Sequence, residues 1–343
     1  MNASQPVQQL VSPSQIATMT LYLYSARVAV AFCGILTNLI NMLVFYKMGF
    51  ASPSNISLFG LAISDFYCLT HTLIISFGLL PAFRNAVLPI SFKDVTFMIS
   101  SIWYSVSATG SWITAIINVE RSCCVVFPIK VKTIFTRKTI IGLIAGMAIY
   151  QVVSTFPRYL TMGLVEVKSP ATNRTMLTID MVKYDQDVFS ATLMASSTVP
   201  TLLCFVVVVI GTIFLITSFK RSRRLRESMT TSKNTASSGT ADGNKPDKMA
   251  DKDTKLIRSV IAICIVYIVG ATPNVLVILV LTFYPRFQIF DAYLGNLAWG
   301  MALLGTLIQS VSFSVNIFVY FNMMSKYQQT FKTLFLGNKL EKC

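Results

Sequence analysis

Long apolar segments alternate with short polar segments along most of this chain. A helix needs about 20 mostly apolar residues to cross the roughly 30 Å core of a lipid bilayer. Seven segments meet that length, and they cover residues 25–46, 54–80, 95–126, 139–160, 188–217, 256–283 and 293–321. The pattern predicts an all-α membrane protein that is built as a seven-transmembrane helix bundle.

The segments outside these spans are predicted to be an N-terminal tail at 1–24, a long loop at 218–255 and a C-terminal segment at 322–343. The loop is rich in Ser, Thr, Gly and Asn over 227–250, which predicts disorder. The C-terminal segment has apolar side chains at helical spacing with lysines between them: Tyr327, Phe331, Leu334 and Phe335 with Lys326 and Lys332. This spacing predicts a short amphipathic helix on the membrane surface.

The composition excludes an ordinary soluble protein. Hydrophobic residues make up 54% of the 343 residues and charged residues only 13%, which is about half of the charged share of soluble proteins. So few charges do not cover the surface of a globular protein of this length. They do cover the short loops and tails of a membrane bundle.

The net charge of +15 is concentrated on one side of the predicted bundle. The segments on that side, which include the loops at 127–138 and 218–255, hold 21 of the 29 lysines and arginines. Basic loops face the cytoplasm in most membrane proteins. The chain is therefore predicted to lie in the plasma membrane with its N-terminus outside, and the charge does not indicate a nucleic-acid partner.

Glycosylation signals agree with this orientation. The sequons Asn2-Ala3-Ser4 and Asn173-Arg174-Thr175 fall outside the cell, so Asn2 and Asn173 are predicted glycosylation sites. A third match at Asn55 falls at the cytoplasmic end of the second span and is interpreted as chance. Two independent signals thus predict the same topology.

The cysteines predict no disulfide. Six of the seven lie in or beside the apolar spans, and the seventh, Cys343, ends the chain. None lies in a loop on the outside, where an oxidising environment would favour a disulfide.

Polar residues and prolines stand in a specific order within successive spans. They are Asn38, the run Leu61-Ala62-x-x-Asp65, Glu120-Arg121 followed by Pro128, then Pro200, Pro273 and Asn316-x-x-x-Tyr320. In this order they resemble the rhodopsin-like (class A) family of G-protein-coupled receptors from about residue 25 to residue 335. The stretch at 127–132, Phe-Pro-Ile-Lys-Val-Lys, is most similar to divergent invertebrate chemosensory or neuropeptide receptors.

The chain departs from this family at several positions. The disulfide that usually joins the third span to the second outside loop has no cysteines here. Residues that the family usually holds as Trp, Trp, Pro and Tyr are replaced by Met147, Ala271, Ile317 and Val208 respectively. These departures indicate a divergent member in which the standard switch details do not carry over in full.

The resemblance implies a receptor that binds an extracellular small-molecule or peptide ligand within the bundle and activates a heterotrimeric G protein. By analogy with the family, Arg121 would pair with Glu120 and with an acid at the base of the sixth span, here Asp253. Release of the arginine would allow it to contact the G protein. Asn316 and Tyr320 would belong to the same switch.

Four polar residues are expected to share a cluster at mid-membrane depth: Asn38, Asp65, Ser312 and Asn316. The cluster has room for a sodium ion or a proton. A hydrogen-bonded cluster without an ion is the alternative, because polar groups inside a membrane are paired in either case. No other cofactor and no metal site is predicted.

The third span also indicates where a ligand binds. Trp103 stands 18 residues, or about five helical turns, before Arg121, so the two residues face the same way about 27 Å apart. Ser107 lies near the same line, and the resemblance adds positions on the other spans. The predicted ligand-binding residues are Trp103, Tyr104, Ser107, Thr192, Ser196, Asn274, Ile278, Thr306 and Ser310.

His71 is a further candidate for the pocket, although a structural histidine explains it equally well. Because it is the one histidine in the chain and no nucleophile, metal or phosphate motif accompanies it, an enzyme is not expected. A retinal protein is not expected either, since no lysine lies between Lys255 and Lys326. The alternatives that stay open are a neuropeptide receptor and, with less support, a seven-helix transporter.

Overall fold

The computed structural model describes residues 10–80, 92–127, 130–160, 162–168, 175–180, 186–234, 246–284 and 293–337. Helices account for nearly all of these residues. The helices are α1 (Pro13–Met48), α2 (Pro53–Gly78), α3 (Phe92–Val126), α4 (Val131–Ile134), α5 (Arg137–Leu160), α6 (Gln186–Leu193), α7 (Val199–Asn234), α8 (Pro246–Phe283), α9 (Gly295–Met323) and α10 (Ser325–Phe335). A π-helical turn, Met194–Thr198, joins α6 to α7.

The helices bury polar residues and expose apolar ones, which is the reverse of a soluble protein. On α5, Gln151 and Arg158 are buried, whereas Ile149, Val152 and Val153 are each about two-thirds exposed. Among the described residues, six helices are long and apolar enough to cross a membrane: α1, α2, α5, the continuous segment formed by α6 and α7, α8 and α9. The prediction of a helical membrane bundle is confirmed to that extent.

The helix α3 is long enough to cross a membrane but is more polar than the others. It packs against α2, α5, α7 and α8, so most of its surface is covered by protein. Its buried residues include many with hydroxyl or amide groups: Ser101, Ser105, Ser111, Thr114 and Asn118. Its exposed residues are Ile102, Tyr104, Val119 and Val126. The polar composition of α3 therefore follows from its central position.

The first helix begins at Pro13 and not near residue 25, so half of the predicted N-terminal tail is helical. Ser12 caps this helix, since its hydroxyl accepts from the Gln15 backbone N–H at 3.2 Å and the Gln15 side chain accepts from the Ser12 N–H at 2.9 Å. Such a reciprocal cap satisfies two backbone donors that a helix start leaves unpaired. Apolar length predicts where the span begins, whereas the cap fixes where the helix begins.

The long loop is also shorter than predicted. Helix α7 continues to Asn234 and α8 begins at Pro246, so residues 227–234 and 246–250 are helical although disorder was predicted for them. Extending an existing helix costs far less than starting one, which explains why the polar residues continue it. Residues 235–245 lie outside the described part of the chain.

The prediction of an all-α protein missed a β-hairpin. Strands β1 (Gly163–Lys168) and β2 (Thr175–Asp180) pair antiparallel, from Gly163 opposite Asp180 to Lys168 opposite Thr175. Short strands with β-branched residues carry little signal beside segments long enough to span a membrane. We call the end of the bundle that carries this hairpin and the start of α1 the hairpin end, and the opposite end the Arg121 end.

The C-terminal helix α10 is confirmed, and Tyr327 fixes it to the bundle. Tyr327 is fully buried, and its hydroxyl donates to the Asn41 side chain at 2.6 Å. Its ring also packs against Phe45 and Tyr320, with centroid distances of 5.3 and 5.5 Å. This aromatic cluster holds α10 against α1 and α9.

Candidate functional site

The penultimate turn of α3 holds a largely buried ion pair at the Arg121 end. The Arg121 guanidinium donates to Glu120 at 2.9 Å, and the Ser54 hydroxyl donates to the same carboxylate oxygen at 3.1 Å. Arg121 also donates to Ser54 itself. Ser54 at the start of α2 therefore contacts both members of the pair and bridges them. Sequence reasoning missed Ser54, because nothing in its local sequence distinguishes it from other serines.

The predicted partner Asp253 lies on α8, and its side chain is outside the described part of the structure. The pairing of Arg121 with Asp253 therefore stays a prediction. The pair of Glu120 and Arg121 is the only ion pair between residues that the structure describes.

The four residues predicted to share a mid-membrane cluster do not all meet. Asn316 donates to the Asp65 carboxylate at 2.9 Å, and both side chains are buried. Asn38 instead donates to the backbone oxygens of Gly34 and Phe313, and accepts from Asn41. The Ser312 hydroxyl donates within its own helix, to the Gln309 backbone oxygen at 2.8 Å.

This arrangement bears on the expected sodium ion. Hard cations are held by several oxygen ligands at once. Near Asp65 the described residues supply its carboxylate and the Asn316 amide oxygen, which is buried without a hydrogen-bond partner. Two protein oxygens do not by themselves complete a ligand set, so the sodium ion stays a prediction and an ion-free hydrogen-bonded pair stays the alternative.

A polar network joins α3, α8 and α9 in the middle of the bundle. The Asn274 amide donates to Gln309, and the Gln309 amide donates to the Ser107 hydroxyl at 3.2 Å. The backbones of α8 and α9 approach closely here, since a Cβ added at Gly305 would lie 3.6 Å from the Asn274 backbone nitrogen. Ser107 and Asn274 were predicted pocket residues, whereas Gln309 was missed because the resemblance assigned it no role.

The remaining predicted pocket residues fall into separate groups. Thr192 and Ser196 are buried next to α5, where Thr192 accepts from Arg158 at 3.2 Å. Thr306 and Ser310 donate to backbone oxygens within α9. Ile278 is half-buried on α8, and Tyr104 is 41% exposed. Trp103, Ser107 and Asn274 thus lie towards the region between α3, α8 and α9. Thr192 and Ser196 form a second group beside α5.

Two buried arginines near the hairpin end were also missed. Arg158 on α5 donates to Ser101 at 2.6 Å and to Thr192 at 3.2 Å. Arg27 on α1 is 6% exposed, and its guanidinium lies over the Tyr24 ring at 5.7 Å. The signal was present in the sequence, because both are charged residues within apolar spans and such residues are usually functional.

A buried carboxylate ties the hairpin to α3. Asp94, in the first turn of α3, accepts from the Thr178 hydroxyl and from the Ile179 backbone N–H of β2. The six described cysteines form no disulfide, and Cys343 lies outside the described residues. The hydrogen bonds that Asp94 accepts from the hairpin therefore join the parts of the chain that the family it resembles usually joins with a disulfide.

Mild reduction is expected to leave the folded protein unchanged. Since the described cysteines form no disulfide, removing disulfides takes away no cross-link there. The apparent melting temperature of the purified protein should stay the same, within about 1 °C, with and without a thiol reductant. A clear drop on reduction would mean that a disulfide supports the fold.

Comparison with known proteins identifies the architecture. The model of the family described as 7 transmembrane receptor (rhodopsin family) matches residues 37–320, which is most of the chain. The match runs from the middle of α1 to Tyr320 near the end of α9, and it includes the polar helix α3. No curated protein matches the chain.

Proposed function

Since the chain belongs to the rhodopsin family of seven-transmembrane receptors, we propose that it binds an extracellular ligand within the bundle and activates a heterotrimeric G protein. The observation that carries this proposal is the largely buried ion pair of Glu120 and Arg121 near one end of α3, with Ser54 bridging it. An arginine inside a membrane bundle is costly and usually marks a functional site. In the proposed resting state Glu120 and Ser54 hold Arg121, and activation frees its guanidinium to contact the G protein.

The helix α3 is proposed as the seventh span. Its length and central packing support this assignment, because a helix surrounded by other helices needs little apolar surface. Its exposed residues, Ile102, Tyr104, Val119 and Val126, suit contact with lipid.

We propose that the hairpin end lies outside the cell and that the Arg121 end lies in the cytoplasm. The basic loops at 127–138 and 218–255 then face the cytoplasm, as the positive-inside rule expects. An epitope tag at residue 2 should react with antibody on intact cells, whereas a tag at 240 should react only after permeabilisation. Labelling of the tag at 240 on intact cells contradicts the topology.

A chemosensory role for a small ligand is proposed over a neuropeptide role. Four predicted ligand-binding residues, Trp103, Thr192, Ser196 and Ser310, are each under 9% exposed, so they suit a ligand enclosed by the helices. One observation favours the neuropeptide alternative. The strand β1 exposes Leu164, Val165 and Val167, and an open strand can pair with an extended peptide.

Ligand-stimulated nucleotide exchange tests the receptor function. The full chain in lipid nanodiscs, mixed with purified heterotrimeric G proteins, should accelerate exchange of GDP for a non-hydrolysable GTP analogue when an agonist from a screen is added. The same compounds should not accumulate in vesicles that contain the protein. Uptake without nucleotide exchange would favour the transporter alternative.

A further inference from the structure

Three buried side chains on α1, α2 and α3 carry nitrogens that lack hydrogen-bond partners among the described residues. The unpaired nitrogens are Nε of Arg27, both ring nitrogens of His71 and Nε1 of Trp103. The three residues are 6%, 9% and 8% exposed. Buried polar atoms are usually paired in native proteins, so these nitrogens are available to a group that enters between the helices.

These side chains lie close enough to act on one ligand group. The His71 and Trp103 rings stack with a centroid distance of 5.9 Å. Arg27 lies two helical turns before Gly34 on the same face of α1, and a Cβ added at Gly34 would lie 2.8 Å from the Leu69 side chain, two residues before His71. We call Arg27, His71 and Trp103 the donor cluster.

The charge of Arg27 is not balanced by an acid in the described part of the chain. Its guanidinium contacts the Tyr24 ring, and it has no ion pair or hydrogen bond to any described residue. Arg27 stands near the hairpin end of the first span, and its side chain is only 6% exposed, so neighbouring helices enclose most of it. An isolated buried charge is strongly destabilising until a counter-charge joins it.

The donor cluster adjoins the proposed ligand pocket. Trp103 is one helical turn from Ser107, which is part of the polar network with Gln309 and Asn274. A ligand that reaches Ser107 therefore meets the donor cluster at its other end.

We infer that the donor cluster is a subsite for an anionic group of the ligand, and that the ligand is a carboxylate with an apolar or aromatic body. The guanidinium of Arg27 donates two parallel hydrogen bonds to a carboxylate, which is the geometry that arginine provides. His71 and Trp103 supply further donors, and the Trp103 ring packs against the body of the ligand. This inference rests on the proposed receptor function, since it names the chemical class of the activating ligand.

Binding of a simple carboxylate tests the subsite without knowledge of the natural ligand. The probe is sodium benzoate, and its matched neutral control is benzamide. A compound that binds the native state raises the apparent melting temperature in a concentration-dependent way. Benzoate should stabilise the full chain in nanodiscs by several degrees at millimolar concentration, whereas benzamide and equal concentrations of sodium chloride should not. Equal stabilisation by chloride or by benzamide would overturn the assignment of a carboxylate.

Substitutions of the two buried arginines separate a ligand-binding role from a structural role. Arg27→Gln removes an unbalanced charge, so it should raise the apparent melting temperature of the ligand-free receptor and abolish stabilisation by benzoate. Arg27→Lys keeps the charge and should retain part of the benzoate response. Arg158→Gln is the matched control, because Arg158 donates to Ser101 and Thr192 and its loss should lower the melting temperature. A lower ligand-free stability in Arg27→Gln, or an undiminished benzoate response, would contradict the subsite.

Signalling assays distinguish failure of the subsite from failure of the receptor function. If benzoate binds through Arg27 but no carboxylate ligand stimulates nucleotide exchange, the subsite is supported and the proposed G-protein activation is contradicted. If the agonists found are neutral and stimulate exchange equally in the natural chain and in Arg27→Gln, the receptor function is supported and the anionic subsite is contradicted. With a carboxylate agonist, Arg27→Gln should lower potency at least tenfold and leave the potency of its amide analogue unchanged.

Discussion

Arg121→Ala is expected to abolish ligand-stimulated nucleotide exchange on the G protein while ligand affinity changes less than threefold. The substitution removes the guanidinium that the proposed mechanism presents to the G protein. The ligand residues lie far from it, because Trp103 is about five helical turns away. Exchange and radioligand or fluorescent-ligand binding should be measured on the same preparation and corrected for the amount of folded receptor.

A matched control distinguishes loss of Arg121 from loss of any positive charge. Arg137 is exposed at the start of α5, on the same end of the bundle, and it takes no part in the ion pair. Arg137→Ala should retain most of the exchange activity. Full exchange activity in Arg121→Ala would leave only a structural role for the pair with Glu120 and Ser54.

Loss of the predicted contact between Arg121 and Asp253 should raise ligand-free signalling, which is the opposite of the effect of Arg121→Ala. If Asp253 holds Arg121 in the resting state, Asp253→Ala destabilises that state by about 1 kcal/mol, since a pair at a membrane–water boundary is partly screened. A ligand-free active fraction of about 1% would then rise about fivefold. The double variant should resemble Arg121→Ala, because the group that contacts the G protein is then absent.

The apolar pattern predicted the helices well because membrane insertion imposes a simple rule on composition. A helix that faces lipid needs a long apolar segment, and α5 and α9 were predicted within about two residues at each end. The amphipathic helix α10 was predicted from its spacing for the same reason. The rule is weaker for helix α3. Protein and not lipid covers most of this helix, so many of its buried residues have hydroxyl groups.

The features that sequence reasoning missed depend on contacts between distant residues. Ser54 meets Glu120 and Gln309 meets Ser107 only because helices pack side by side, and no local pattern encodes such a pairing. The hairpin was missed because short strands have a weak signal. Arg27 differs from these, since a charged residue within an apolar span is visible in the sequence alone.

Asp94→Ala is expected to lower both thermal stability and ligand affinity. The Asp94 carboxylate is buried and accepts hydrogen bonds from Thr178 and Ile179, so its removal leaves the buried Ile179 N–H without its acceptor. Hydrogen bonds to a charged group contribute about 1.5–3 kcal/mol each. A decrease of that size in the free energy of unfolding should lower the apparent melting temperature of the purified receptor by about 5 °C. Ligand affinity should fall as well, because the hairpin would no longer be held over the hairpin end of α3.

Variants at both ends of this contact make the prediction specific. Asp94→Asn keeps an acceptor oxygen and should show a smaller loss, and Thr178→Ser keeps the hydroxyl and should stay close to the natural chain. Thr178→Val removes the hydroxyl while its size is kept, so it should reproduce part of the Asp94→Ala effect. Glu166→Ala removes an exposed carboxylate from the same hairpin and should have little effect. If Asp94→Ala melts at the same temperature as Glu166→Ala, the hairpin is held by other contacts. If it melts lower and Thr178→Val follows it, hydrogen bonds do in this receptor what a disulfide does in most of its family.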